Sequence, residues 1–174
     1  MAALASPVRW QIADALATHG PSSIREIAAR LGRSAAGLYY HVNALVEVGV
    51  VVLVGARPTE RRAEAVYRLV APRLVVDRQQ RSSAYTEALL RTCGAMLRLT
   101  ERNHRAAVQA GAFVLEGPQR TLAVRRLTGK LNRERLRRVN RLLDELAGLF
   151  GEPDAKGEGC ALTVVLTPLV DREG

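Results

Sequence analysis

Ser23-Ile24-Arg25-Glu26-Ile27-Ala28-Ala29-Arg30-Leu31-Gly32-Arg33-Ser34 holds, in one short run, a helix start, a helix stop and a second helix start. Ser23 and Glu26 have the spacing of a capping box, in which the serine oxygen and the glutamate carboxylate each take an N–H that the first helical turn leaves free. Gly32 supplies the left-handed backbone that ends such a helix, so a short helix is expected over residues 24–31. Ser34 is placed to cap a further helix, whose Leu38, Val42, Leu45 and Val46 line one face before Gly49.

Upstream, Ser6-Pro7 opens another helix, because a proline at the first helical position loses no hydrogen bond, and Gly20-Pro21 closes it. Val8, Ile12, Ala15, Leu16 and His19 form its inner stripe. Trp10, Ala13 and Ala17 form a second stripe that a lone small domain would leave exposed, which implies a second packing partner. Downstream, residues 50–54 are β-branched and apolar, residues 55–63 are polar with Pro58, and residues 65–70 resume with Val66, Tyr67 and Leu69. A hairpin with an arginine-bearing tip is expected. Helix, short helix, sharp turn, third helix and hairpin is the winged helix-turn-helix order, whose third helix protrudes far enough to enter a major groove.

Residues 6–70 resemble the DNA-binding domain of ArsR-type winged-helix transcription regulators. The likeness is carried by Ser6-Pro7-Val8-Arg9, Ile27-Ala28-Ala29-Arg30-Leu31-Gly32, Ser34, Tyr40-His41-Val42, Leu45 and Gly49-Val50. It covers 65 of 174 residues and is spread over many weakly specific positions. The resemblance implies a recognition helix over residues 34–48 in the major groove and a wing over residues 50–70 on the backbone or minor groove. Off the apolar face of the third helix lie Ala35, Ala36, Gly37, Tyr39, Tyr40 and Asn43. The small residues allow close approach, the tyrosines can bond phosphates or touch thymine methyls, and Asn43 can pair with an adenine edge; one tyrosine supporting the wing is the alternative. Arg33 and Ser34 in the turn, and Arg57, Arg61 and Arg62 at the wing tip, complete the DNA-contact set, with Glu60 and Glu64 weakening the tip's field. A solvated loop is the bland reading of those arginines. His41 stands where the family commonly has a histidine, and its neighbours turn it toward the interior.

Regulators of this type often sense metals through a cysteine pair near the third helix or through His and carboxylate sites on the dimer helices. Neither pattern is present: Cys93 and Cys160 are solitary and read as small core residues, and His104 on the long helix reads as structural. No metal and no cofactor are expected, and a small-molecule effector stays unnamed.

The second half begins with a connector from Pro72 to Gln80. A helix of about 28 residues follows from Ser82, with Tyr85, Leu89, Met96, Leu97, Thr100, Ala107 and Val108 at helical spacing. Glu116-Gly117-Pro118 breaks the pattern, and Leu122 and Val124 then suggest a short strand over residues 120–127. Asn132 can cap a helix carrying Leu136, Val139, Leu142, Leu143, Leu146 and Phe150 up to Gly151, and residues 161–166 read as a strand. The fold class expected is therefore mainly α with small β elements. Residues 1–78 form the winged helix-turn-helix, and residues 79–174 a helical dimerisation region with a short strand pair. The long helix has more apolar surface than one winged helix covers, and two half-sites need a two-fold partner, so residues 82–112 are expected to form most of a homodimer interface.

Hydrophobic residues at 48% and charged residues at 25% are globular proportions, which argue against a disordered or fibrous chain. Twenty-six Lys and Arg against seventeen Asp and Glu leave a formal charge of +9, which suits a polyanionic partner. Only Lys130 and Lys156 are lysines, so an arginine-rich composition is the competing explanation. Nine basic residues between Arg120 and Arg141 face one acid, Glu134, for a local +8; a solvated helix face is weighed there against a second anionic contact. Two cysteines build no disulfide framework, no N-terminal triplet resembles a signal peptide, and no apolar run approaches the roughly 18 residues of a membrane span. A soluble cytoplasmic protein is expected. No glycine-rich phosphate loop, nucleophile elbow or His-Glu-x-x-His motif marks an enzyme. Double-stranded DNA is the expected partner and a repressor the expected role, against a protein- or RNA-docking adaptor or a non-specific architectural DNA binder.

Overall fold

The computed structural model describes residues 2–59, 63–71, 82–151 and 157–170. Helix α1 (Pro7–His19) follows a 3-10 turn at Ala2–Ala5. Ser6 stands at its N-cap in extended backbone without a side-chain cap bond; its carbonyl instead accepts from the N–H groups of Arg9 and Trp10. A two-residue strand, β1 (Ser22–Ser23), leads into α2 (Ile24–Leu31). Both halves of the capping box form: Ser23 N–H donates to Glu26 Oε2 at 2.7 Å, and Glu26 N–H donates to Ser23 Oγ at 3.3 Å. Gly32 ends α2 at φ 60°, ψ 37°, a left-handed conformation that costs a side-chain-bearing residue energy and costs glycine none. Ser34 Oγ accepts from Gly37 N–H at the start of α3 (Ala35–Glu47). Helix boundaries therefore agree with the local signals.

Ile12, Ile27, Leu38, Val42, Leu45 and Val51 are sealed from water and join α1, α2 and α3 to the root of the wing. Each such side chain contributes roughly 1.5–3 kcal/mol by burial. The wing is β2 (Val51–Arg57) and β3 (Glu64–Leu69), antiparallel, with β1 on the other side of β3. Val51 faces Leu69 and Leu53 faces Tyr67, but Gly55 faces Val66, so one residue of β2 is bulged out. Gly55 takes φ 153°, a value that only glycine adopts readily, and the bulge twists the wing.

Ser82 caps α4 (Ser83–Ala110), which ends at Gly111 in the left-handed region. Its face of Ala88, Thr92, Ala95 and Leu99 is buried, and the helix packs on the 3-10 turn and on α1. Helix α4 gives α1 a packing partner within the chain; of the second stripe, Ala13 is buried, Trp10 is half-buried against the helix-turn-helix core, and Ala17 is exposed. The expected connector from Pro72 to Gln80, including the boundary at residues 78 and 79, lies outside the described residues.

Beyond α4 the expected strands do not form within the chain. Among the described residues, 120–127 and 161–166 carry neither helix nor ladder, so the short strand pair is corrected to unpaired chain. A strand exists only where a neighbour takes its N–H and C=O groups, and neither segment meets one. A small loop closes where Val114 O accepts from Thr121 N–H at 2.9 Å. Helix α5 (Arg133–Gly151) forms with Asn132 Oδ1 accepting from Arg135 N–H, yet it buries no residue. The C-terminal segment touches the rest through Thr163 Oγ1, 2.6 Å from Thr100 Oγ1 on α4.

Candidate nucleic-acid interface

Helix α3 has two sharply different sides. Leu38, Val42 and Leu45 are buried, while Ala36, Tyr40, Asn43 and Glu47 follow one another at helical spacing along the exposed side. Gly37 flanks this stripe on one edge and Tyr39 on the other, both exposed. Ala35, grouped from sequence with the outward set, is half-buried and packs on the core. Tyr40 projects further than Tyr39, at 71% against 44% exposure, and its ring lies 5.8 Å from the Arg9 guanidinium carbon, within cation–π range. Arg9 in turn donates to the Ala3 carbonyl at 2.7 Å, so α1 steadies the tyrosine from behind.

A cleft of about 270 Å³ opens beside the first turn of α3, lined by Gly32, Arg33, Ser34, Gly37 and His41 among others. Helix N-termini attract anions through their free N–H groups and the helix dipole. Arg33 stands at this cleft with its guanidinium on the neutral Gln11 amide at 3.3 Å, so its charge is not cancelled. His41 is half-buried, and its Nδ1 is enclosed without a hydrogen-bond partner. Burial first, then the charges of Arg9 and Arg33, hold its pKa below the usual histidine value, so the ring is neutral at pH 7. Its inward placement agrees with the sequence expectation.

Arg57 of the wing is placed differently from that expectation. Arg57, at the end of β2, donates to Glu26 Oε1 at 2.7 Å and ties the wing to α2. The Ser23 backbone N–H on the other carboxylate oxygen, and then Arg57, hold Glu26 below its usual pKa, although its partial burial acts the other way. Arg57 is therefore engaged as a strut. Glu64 is bound by Arg25 at 2.7 Å, so its charge opposes α2 and not the tip. Arg61, Arg62 and Glu60 lie outside the described residues. Among the described residues the ion pairs are Arg25 with Glu64, Arg57 with Glu26, Arg91 with Glu87 and Arg105 with Glu101. Arg9, Arg30 and Arg33 thus make no carboxylate ion pair among the described residues around α2 and α3.

Sequence reasoning missed Glu47 and Arg9. Extending the helical period one turn past Asn43 would have found Glu47 on the outward stripe. The approach of Arg9 to Tyr40 follows only from the packing of α1 on α3. His104, expected as structural, is exposed on α4, and Cys160 is exposed while Cys93 is half-buried. The nine basic residues from Arg120 to Arg141 are all exposed. Among the described residues no group of three His, Cys, Asp or Glu side chains gathers, and no helix is long and apolar enough to cross a membrane.

A family model described as a helix-turn-helix domain matches residues 4–54, the span from the 3-10 turn through α3 into β2. No curated protein matches the chain.

Proposed function

We propose, from a helix-turn-helix domain at residues 4–54 with a wing attached, that the chain is a sequence-specific DNA-binding transcriptional regulator. The reading is of an ArsR-like cytoplasmic repressor that acts as a homodimer. The observation that carries it is the outward stripe of α3. Small residues at its start, Tyr40 and Asn43 at its centre, and the uncancelled Arg33 at its N-terminal cleft are what a groove and its phosphate border require.

In this reading Ser34, Ala36 and Gly37 let the start of α3 approach the base edges, while Tyr39, Tyr40 and Asn43 sample them. Arg33, with Arg61 and Arg62 of the wing tip, neutralises phosphates and sets the register. Arg57 acts one step back, by holding the wing on α2. Two copies place two such helices on neighbouring half-sites, and the exposed Leu90, Leu97 and Val108 of α4 give residues 82–112 apolar surface for the pairing. Occupancy of the site competes with polymerase, and no catalytic step, metal or cofactor is assigned.

Selection of bound sites from a random duplex pool at near-physiological salt tests the reading. An inverted repeat with half-sites about one helical turn apart supports it. The exposed +8 stretch favours one second reading, a non-specific architectural binder, which the same experiment would reveal as steeply salt-dependent binding without enrichment. No binding at all would return the chain to the adaptor class.

A further inference from the structure

Residues 161–166 consist of Ala, Leu, Thr, Val, Val and Leu, the composition of a strand covered on both faces. Yet Leu162, Val164, Val165 and Leu166 stay about half exposed, and Val170 is 84% exposed. Among the described residues, 123–131 and 158–170 make no backbone–backbone hydrogen bond. A strand meant to face water is guarded by charges, proline or a bulge. Residues 161–167 hold none of the charged or proline guards.

Helix α5 has the same defect. Its Leu136, Leu142, Leu146, Leu149 and Phe150 are all exposed, and a helix of 19 residues that buries nothing lacks the tertiary packing from which most helical stability comes. Among the described residues, thirteen of the twenty-six large apolar side chains left exposed lie at residues 114–115 and 136–170. Most are half exposed or more, so together they exceed the roughly 800 Å² that each partner of a standard interface buries.

We propose that a second copy of this chain covers this surface, the unpaired arms at residues 161–167 meeting antiparallel about the two-fold axis and completing a sheet that neither copy can build alone. The proposal deepens the homodimer reading above and rests on it.

Three observations select a second copy as the occupant. The arm is held on its own protomer by the bond between Thr163 and Thr100, and a Cβ on Gly159 would come within 3.2 Å of the Thr18 methyl, so one flank is seated and the arm's ladder groups stay open. Residues 161–170 carry no charge, so identical arms meet without repulsion, whereas residues 120–131 carry Arg120, Arg125, Arg126 and Lys130 and belong at the outside of the assembly. An edge that pairs with its own copy about a two-fold closes the assembly and leaves no open end, which a heterologous contact does not guarantee.

The test uses the full chain. Light scattering at tens of micromolar should give a dimer, and amides of residues 161–167 should exchange far more slowly in the dimer than in protein diluted to monomer. Val164→Glu with Leu166→Glu should raise the dimer dissociation constant by at least about a hundredfold while helicity and half-site DNA binding persist. Arm amides that exchange at free-chain rates in the dimer, or that are equally protected in the monomer, would overturn the proposal. If Leu90→Glu with Leu97→Glu abolishes the dimer and the arm variant does not, the arm proposal fails while the homodimeric regulator stands. A slowly exchanging arm in a dimer that enriches no DNA sequence would support the arm and remove the regulator.

Discussion

Residues 3–51 and residues 112–170 are both rich in Leu, Val and Ala, but only the first region closes on itself. In the first, Ile12, Ile27, Leu38, Val42, Leu45 and Val51 are buried by one another; in the second, Leu127 is 89% exposed and α5 buries nothing. Composition does not separate them. The N-terminal region has three short helices whose apolar stripes face one another across sharp turns, so each turn delivers a partner. Among the described residues, the C-terminal region has one helix between non-helical segments, and that helix buries none of its side chains fully. The contrast shows that an apolar pattern specifies a demand for cover, while connectivity decides whether the chain itself supplies it.

The widest test of this contrast pairs two identical substitutions. Leu45→Ala should destabilise the helix-turn-helix domain by about 2–5 kcal/mol in urea unfolding. Leu166→Ala should leave that domain's stability within about 0.5 kcal/mol and act instead on dimer dissociation. Equal effects on unfolding would mean that the two regions form one cooperative core.

Asp14 lies on the face of α1 that carries Thr18, against which Gly159 passes. Burial raises its pKa from 3.8 to about 6. The folded state therefore binds the proton more tightly than the unfolded state, so stability falls as pH rises from about 4 to about 6 and stays reduced above, by up to about 3 kcal/mol. Asp14→Asn should flatten the dependence of Tm on pH across that window and raise Tm at pH 7. An unchanged slope would show the carboxyl to be hydrated.

Asn43→Ala should relax preference at one position of each half-site by about 1–3 kcal/mol, read by repeating the selection with the variant. A uniform loss over all sequences would assign Asn43 to positioning. Ser34→Ala should cost about 1 kcal/mol of stability by removing the cap on Gly37 N–H. The smallest effect is expected from Arg61→Ala with Arg62→Ala, which should weaken binding to every sequence and flatten the salt slope by about one unit per lost phosphate contact. A slope that does not move would take the wing tip out of the phosphate inventory.

The caps were readable because each rests on a few neighbouring residues: Ser23 with Glu26, Gly32 and Ser34 all appear in the structure in their expected roles. The outward set of α3 was readable for the same reason, apart from Ala35 and the omitted Glu47. Other features were not. Strand β1 is two serines with no alternation to betray them, and it exists because Tyr67 and Val66 lie opposite. Arg57 reads as a tip charge until Glu26, 31 residues away in sequence, is seen to hold it. Residues 120–127 and 161–166 have strand composition without a ladder, because strand pairing is a contact between distant segments and no local rule states where the second segment is.

By itself, then, the sequence determined the helix-turn-helix order, the ends of its helices and the side of α3 that faces outward, all of which depend on interactions within a turn or two of chain. Tertiary structure decided that α4 packs on α1, that the wing is bulged between Leu53 and Gly55 and strutted by Arg57, and that none of the described residues of 112–170 is fully buried. Those outcomes depend on which distant surfaces meet, and the energy of burial and pairing is collected only when they do.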